Sequence, residues 1–179
     1  MLDGFGREVS SLRISVTQQC NLECFFCHKE GEAPSPIGPM SVEEIRTLVE
    51  IGSKLGIRKV KITGGEPLLR PDIADIVGEI SRYLEEVSLV TNGTLLRPIA
   101  RTLKDAGLNR VNVSLHSLDR ENYRRITGED QLSAVLEGID AAFENNLRPV
   151  KLNVVVLRGI NDSEVGGMID FAAEKGAIL

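Results

Sequence analysis

Residues 59–91 read KVKITGGEPLLRPDIADIVGEISRYLEEVSLVT, and this stretch decides the fold. It opens on Lys59-Val-Lys-Ile-Thr63, where lysine alternates with β-branched residues in the period-two pattern of a strand. A turn punctuated by Gly64, Gly65 and Pro67 follows, then an amphipathic segment over 72–84, then a second apolar run over 87–91. Strand, helix and strand within about thirty residues make one βαβ unit. Its right-handed crossover sets the two strands parallel.

The unit repeats on both sides. Upstream, 12–17 reads as a strand and 18–39 as a loop. Ser41 then starts a helix, with Glu44 three positions on completing a capping box. Ile45, Leu48, Val49 and Leu55 form its expected buried stripe, and Gly56 ends it. Downstream, a helix over 96–106 stops at Gly107, and a strand covers 110–115. A short helix lies near 120–126, a longer one over 132–145, a strand over 150–157, and a helix over 163–175 stops at Gly176. Residues 177–179 read as the first of a sixth strand. Five units and the start of a sixth predict an α/β chain folded as a partial (βα) barrel of the TIM type, in one domain over 1–179. A dinucleotide-binding sheet is disfavoured because no strand is followed by G-x-G-x-x-G. A chain that stops two or three residues into a buried strand would leave an edge unpaired. The sequence therefore reads as an incomplete frame or a fragment.

Composition is that of an ordinary globular protein, with 42% apolar and 26% charged residues in 179. No apolar run approaches the roughly 18 residues that span a bilayer, and the first residues lack an apolar signal core. A cytoplasmic protein with no membrane partner is expected. The net charge of −5 argues against a sequence-independent nucleic-acid partner.

All three cysteines fall between 20 and 27, in Cys20-Asn-Leu-Glu-Cys24-Phe-Phe-Cys27. An odd, clustered set is a poor disulfide framework and a good metal site. Three thiolates on one loop can hold a 4Fe–4S cube and leave one iron open, the feature that separates reactive from structural metal sites. The amine and carboxylate of S-adenosylmethionine (SAM) can chelate such an iron. A zinc knot with His28 as fourth ligand is the alternative. It lacks paired knuckles, and Cys27-His28 adjacency makes joint ligation hard, so His28 reads as a loop residue. Arg13, Lys61 and Lys151 sit on three different strands, each between apolar neighbours, which turns them to the face opposite the helices. Unpaired interior cations are costly, so three of them imply an anionic guest.

The cysteine spacing, with aromatic Phe26 before the last cysteine, and Thr63-Gly-Gly-Glu-Pro67 after the second strand resemble the radical SAM superfamily. Asp3-Gly-Phe-Gly-Arg7, Leu12-Arg-Ile-Ser-Val-Thr17, Thr91-Asn-Gly-Thr-Leu-Leu96, Pro149-Val-Lys-Leu-Asn153 and Arg158-Gly-Ile-Asn-Asp162 resemble the GTP 3′,8-cyclases of molybdenum cofactor biosynthesis more narrowly. The resemblance implies a lyase that binds a 4Fe–4S cluster on Cys20, Cys24 and Cys27. In it, a 5′-deoxyadenosyl radical takes H-3′ of GTP, and the sugar carbon closes onto C8 of guanine. By position it implies SAM contacts at Phe26, Gly64, Gly65, Glu66 and Ser114, and GTP contacts at Arg13, Lys61, Thr91 and Lys151. It further implies an electron donor such as flavodoxin or ferredoxin, a homodimer, and a second 4Fe–4S cluster on cysteines nearer the C-terminus. No cysteine follows Cys27 here. That departure keeps two alternatives open: another radical SAM maturase, and a catalytically silent cluster- and SAM-binding fragment. His116 stands where many relatives are expected to carry Asp and reads as structural.

Overall fold

The computed structural model describes residues 4–28 and 38–179. Residues 29–37 of the expected loop, and residues 1–3, which include Asp3 of the opening motif, lie outside the described residues. The elements run β1 (Ser11–Ser15), α1 (Val42–Lys54), β2 (Lys59–Thr63), α2 (Ile73–Ser81), β3 (Glu86–Thr91), α3 (Ala100–Asp105), β4 (Arg110–Ser114), α4 (Arg120–Thr127), α5 (Leu132–Glu144), β5 (Lys151–Asn153) and α6 (Val165–Lys175). All five strands are parallel and lie in chain order, β1-β2-β3-β4-β5. Consecutive right-handed crossovers place every helix on one face, so the sheet curls as part of a barrel.

The strands' alternation sorts two environments. Ile14, Ile62, Leu89 and Val111 occupy one register row and are buried under the helices with Ile76, Val77, Leu103 and Ile139. Arg13, Lys61, Ser88 and Arg110 share a row on the opposite, inner face. Asn112 and Lys151 follow one row higher. Residue 178 forms a parallel bridge with Lys151, and Leu152 N donates to Ile178 O at 2.7 Å, as the start of a sixth strand should.

Several boundaries differ from the pattern, each for a local reason. The strand expected over 150–157 stops at Asn153 because side chains take its later backbone groups. Val155 N donates to His116 Nδ1 at 3.3 Å, and Leu157 N to Asn161 Oδ1 at 2.6 Å. The helix expected from 96 begins at Ala100, after turns around Pro98, whose ring disfavours helical backbone in the residue before it. The helix expected over 72–84 spans Ile73–Ser81, preceded by a 3-10 turn at Pro67–Leu69. The capping box forms as read, with Ser41 N donating to Glu44 Oε2 at 2.7 Å. Leu48 and Leu55, however, are 39% and 55% exposed, and only Ile45 and Val49 bury fully. Among the described residues α1 packs against one helix, α2, which leaves part of its stripe uncovered. No described helix is long and apolar enough to cross a membrane.

Candidate functional site

Two loops meet above the C-terminal ends of β1 and β2. Val16 N donates to Thr63 O at 2.9 Å, Gly65 N to Thr17 O at 2.9 Å, and Glu66 N to Gln19 O at 2.8 Å. The two glycines make this junction possible. A Cβ on Gly64 would stand 2.6 Å from Thr17 O, and one on Gly65 would stand 2.3 Å from Gln19 O. Both contacts are with backbone, so a side chain cannot be absorbed by a rotamer change. The sequence suggested that these glycines let a ligand approach. Their first demand is the approach of the cysteine loop itself, and their backbone remains exposed.

Glu66 is fully buried and holds the junction from below. Its Oε1 accepts from Leu68 N at 3.0 Å and Thr91 Oγ1 at 2.8 Å, and its Oε2 from Asn92 N at 2.7 Å. Burial raises its pKa while these donors pull it back. Asn92 carries the network on: Nδ2 donates to Asn21 Oδ1 at 2.8 Å, and Asn21 Nδ2 donates to Thr94 Oγ1 at 2.9 Å.

The far side of the cysteine loop hangs on the end of α4. Glu23 N donates to Thr127 O at 2.8 Å, and Phe25 N to Ile126 O at 3.2 Å, satisfying carbonyls that a helix end leaves open. Gly128 caps the helix at φ 81°, and a Cβ there would press Glu23 Cβ at 3.2 Å. Cys24 is partly buried; Cys20 and Cys27 are exposed. Burial, reinforced by Cys20 and Cys27, pushes the Cys24 thiol up to about 11, and burial also raises Cys20. Among the described residues, no three His, Cys, Asp or Glu side chains are gathered as ligands of a single metal ion. Beneath the loop the Tyr123 hydroxyl is fully buried; burial and then Cys24 raise its pKa, while a side-chain contact with Thr127, too loose to count as a well-formed hydrogen bond, lowers it. The donor set fits a cationic cluster. Cys20 and Cys27 oppose ionisation of Cys24, and a bound metal removes that cost by holding its ligands as thiolates.

Phe26 rests edge-on against His116, with ring centroids 4.9 Å apart. Burial depresses His116 to about 4, so it is a neutral imidazole with Nδ1 as acceptor. It has the structural place expected of it. Ser114 ends β4 on the inner face, beside Asn153.

Below the loops, a cavity of about 300 Å³ is lined by Arg13, Lys59, Lys61, Glu86, Ser88 and Arg110, among others. Glu86 serves Arg110 at 2.7 Å and Lys59 at 3.4 Å. Arg13, Lys61 and Lys151 have no ion pair among the described residues, and Lys61 is depressed by burial, then by Arg13, Arg110 and Lys151. At about 3.3 Å per residue, Lys61 lies roughly 10 Å below the Gly64 turn. Thr91, expected with these cations, does not join them. It shares strand parity with Val87 and Leu89, is 2% exposed, and gives its hydroxyl to Glu66. Sequence reading passed over Asn92, Asn21, Tyr123, Arg110 and Glu86. Strand parity could have found the last two; nothing local flags the others.

The chain belongs to the radical SAM superfamily, whose family model matches residues 14–172. Over 179 residues it is 55% identical to a probable GTP 3′,8-cyclase of Thermococcus kodakarensis, covering all of this chain and 58% of that protein. A probable GTP 3′,8-cyclase of Pyrococcus abyssi is 52% identical over the same span and is also covered to 58%. The chain thus spans somewhat more than half the length of these relatives. Among solved structures, Streptococcus suis SuiB superposes with a TM-score of 0.78 at 17% identity, over 94% of this chain and 38% of that one. The protein anSMEcpe with bound AdoMet superposes with a TM-score of 0.76 at 22% identity, over 93% and 48%. These likenesses show the fold.

Proposed function

We propose that this chain is the cluster- and SAM-binding core of a GTP 3′,8-cyclase, acting in molybdenum cofactor biosynthesis. One juxtaposition carries the reading. Three thiols and the Gly64-Gly65-Glu66 turn are tied together at one end of the barrel, and three cations with no ion pair among the described residues line its inner face below them. Cys20, Cys24 and Cys27 would hold a 4Fe–4S cluster, which would supply the one electron that splits the sulfonium of bound SAM into methionine and a 5′-deoxyadenosyl radical. The exposed backbone of Gly64 and Gly65, the ring of Phe26 and the hydroxyl of Ser114 would line the space beside it and orient the SAM. Glu66 acts one step back, fixing the turn, and Thr91 acts through Glu66. Arg13, Lys61 and Lys151 would bind the triphosphate of GTP, which relieves their mutual repulsion and aims the ribose at the radical. Cytoplasmic location and one-electron supply by a flavodoxin or ferredoxin belong to the same proposal. So does a homodimer.

The test is anaerobic. The chain is reconstituted with iron and sulfide, reduced with dithionite, and given SAM with and without GTP. Release of 5′-deoxyadenosine that rises with GTP supports the reading. The relatives' greater length favours a second outcome, release without any cyclised nucleotide, which would assign cyclisation to a longer polypeptide. A cluster-loaded sample that releases none sinks the proposal.

A further inference from the structure

Asn92 is where the buried Glu66 network reaches a sulfur. Its backbone N–H is fixed by Glu66 Oε2 at 2.7 Å. Its Oδ1 accepts from Thr94 N at 3.0 Å and from Thr94 Oγ1 at 2.7 Å. Two donors on Oδ1 settle which end of the carboxamide is oxygen. Nδ2 then has two acceptors for its two hydrogens: Asn21 Oδ1 at 2.8 Å and Cys20 Sγ at 4.0 Å. Every polar atom of the side chain is accounted for, and its plane cannot turn without breaking bonds.

We propose that Asn92 is a positioning residue for the cluster, giving Cys20 Sγ an N–H···S hydrogen bond that eases reduction. The inference rests on Cys20 being a cluster ligand. The contact is long for a neutral thiol; a ligating thiolate carries more charge and draws the donor in. An electron added to the cluster spreads onto its sulfurs. An N–H dipole aimed at one of them therefore favours the reduced form, and hydrogen bonds to sulfur are among the protein's levers on such potentials. Because Asn92 N is held by the same carboxylate that fixes Leu68 N beside the glycine turn, the dipole is preorganised with the SAM-facing turn.

The experiment is a redox titration of the reconstituted chain followed by the reduced cluster's paramagnetic signal, in wild type, Asn92→Ala, Asn92→Asp and Thr94→Ser. At a fixed solution potential, the ratio of reduced to oxidised cluster should fall roughly tenfold in Asn92→Ala, which removes the donor, the scale of one charge-assisted hydrogen bond. Asn92→Asp removes the donor and adds a negative charge, so its ratio should fall further. Thr94→Ser keeps the hydroxyl that holds Asn92 Oδ1 and should hold the wild-type ratio. An unmoved ratio in Asn92→Ala overturns the inference, as does an equal fall in Thr94→Ser, which would trace the effect to a loosened loop. A wild-type chain that takes up no cluster sinks the functional reading and this inference together. A loaded chain with unmoved variants sinks only the inference.

Discussion

Replacing Gly65 by alanine tests the junction on which the site depends. The new Cβ would sit 2.3 Å from Gln19 O and 2.7 Å from Gln18 O, both main-chain atoms. Reaching an ordinary 3.4 Å contact requires the two loops to part by about 1 Å. That movement breaks Glu66 N to Gln19 O and Gly65 N to Thr17 O, now 2.8 and 2.9 Å. Overpacking costs about 1–3 kcal/mol, and each hydrogen bond about 1 kcal/mol, so the loss should be about 3–5 kcal/mol. For a chain of this size that lowers the thermal midpoint by roughly 10 °C. Far-ultraviolet circular dichroism of the metal-free chain reads the midpoint, and iron per chain after reconstitution reads the site. Gly166→Ala, in α6 with nothing within 4 Å of the added methyl, is the control and should be neutral or slightly stabilising. A Gly65→Ala chain within about 1 kcal/mol of wild type, carrying full iron, would refute the reasoning.

Three further outcomes follow from the same structure. Tyr123→Phe removes a buried hydroxyl whose contact with Thr127 is loose and should leave the metal-free chain within about 1 kcal/mol of wild type in urea unfolding; a larger loss would mean a fully formed hydrogen bond to Thr127. Arg70 holds Asp72 well below the usual carboxylate range, so the pair's contribution is present above the ordinary carboxyl pKa and lost as pH falls through the depressed one. Asp72→Asn should therefore cost about 1 kcal/mol at pH 7 and little in strong acid, and a cost independent of pH would count against the pair. Lys61→Met should weaken GTP binding to the loaded chain at least tenfold in calorimetry while leaving SAM binding in place; equal weakening of both would show a general collapse of the inner face.

The parts legible in the sequence were those fixed by neighbours along the chain. β2 forms with the bounds its alternation predicts, and the Ser41–Glu44 box closes because both partners lie within one turn. Strand parity also put Arg13, Lys61 and Lys151 on the inner face. What escaped depends on register between distant segments. Thr91 looked like a binding residue within its Thr-Asn-Gly turn, but β3 carries its side chain to the helix side, where it meets Glu66 from 25 residues away. Asn92 and Asn21 are 71 positions apart, and no local pattern announces that they touch. The exposure of Leu48 and Leu55 depends on how many helices flank α1, which periodicity does not encode. β5 shortens because His116, 39 positions from Val155, and Asn161, four from Leu157, compete for the backbone that would have extended it.

Mössbauer spectroscopy of oxygen-free chain reconstituted with iron-57, recorded before and after adding SAM, addresses the central claim directly. Three thiolates on a cube predict about four irons per chain, with one iron whose parameters shift when SAM binds while the others stay put. A single tightly held zinc, or a cube indifferent to SAM, would contradict it.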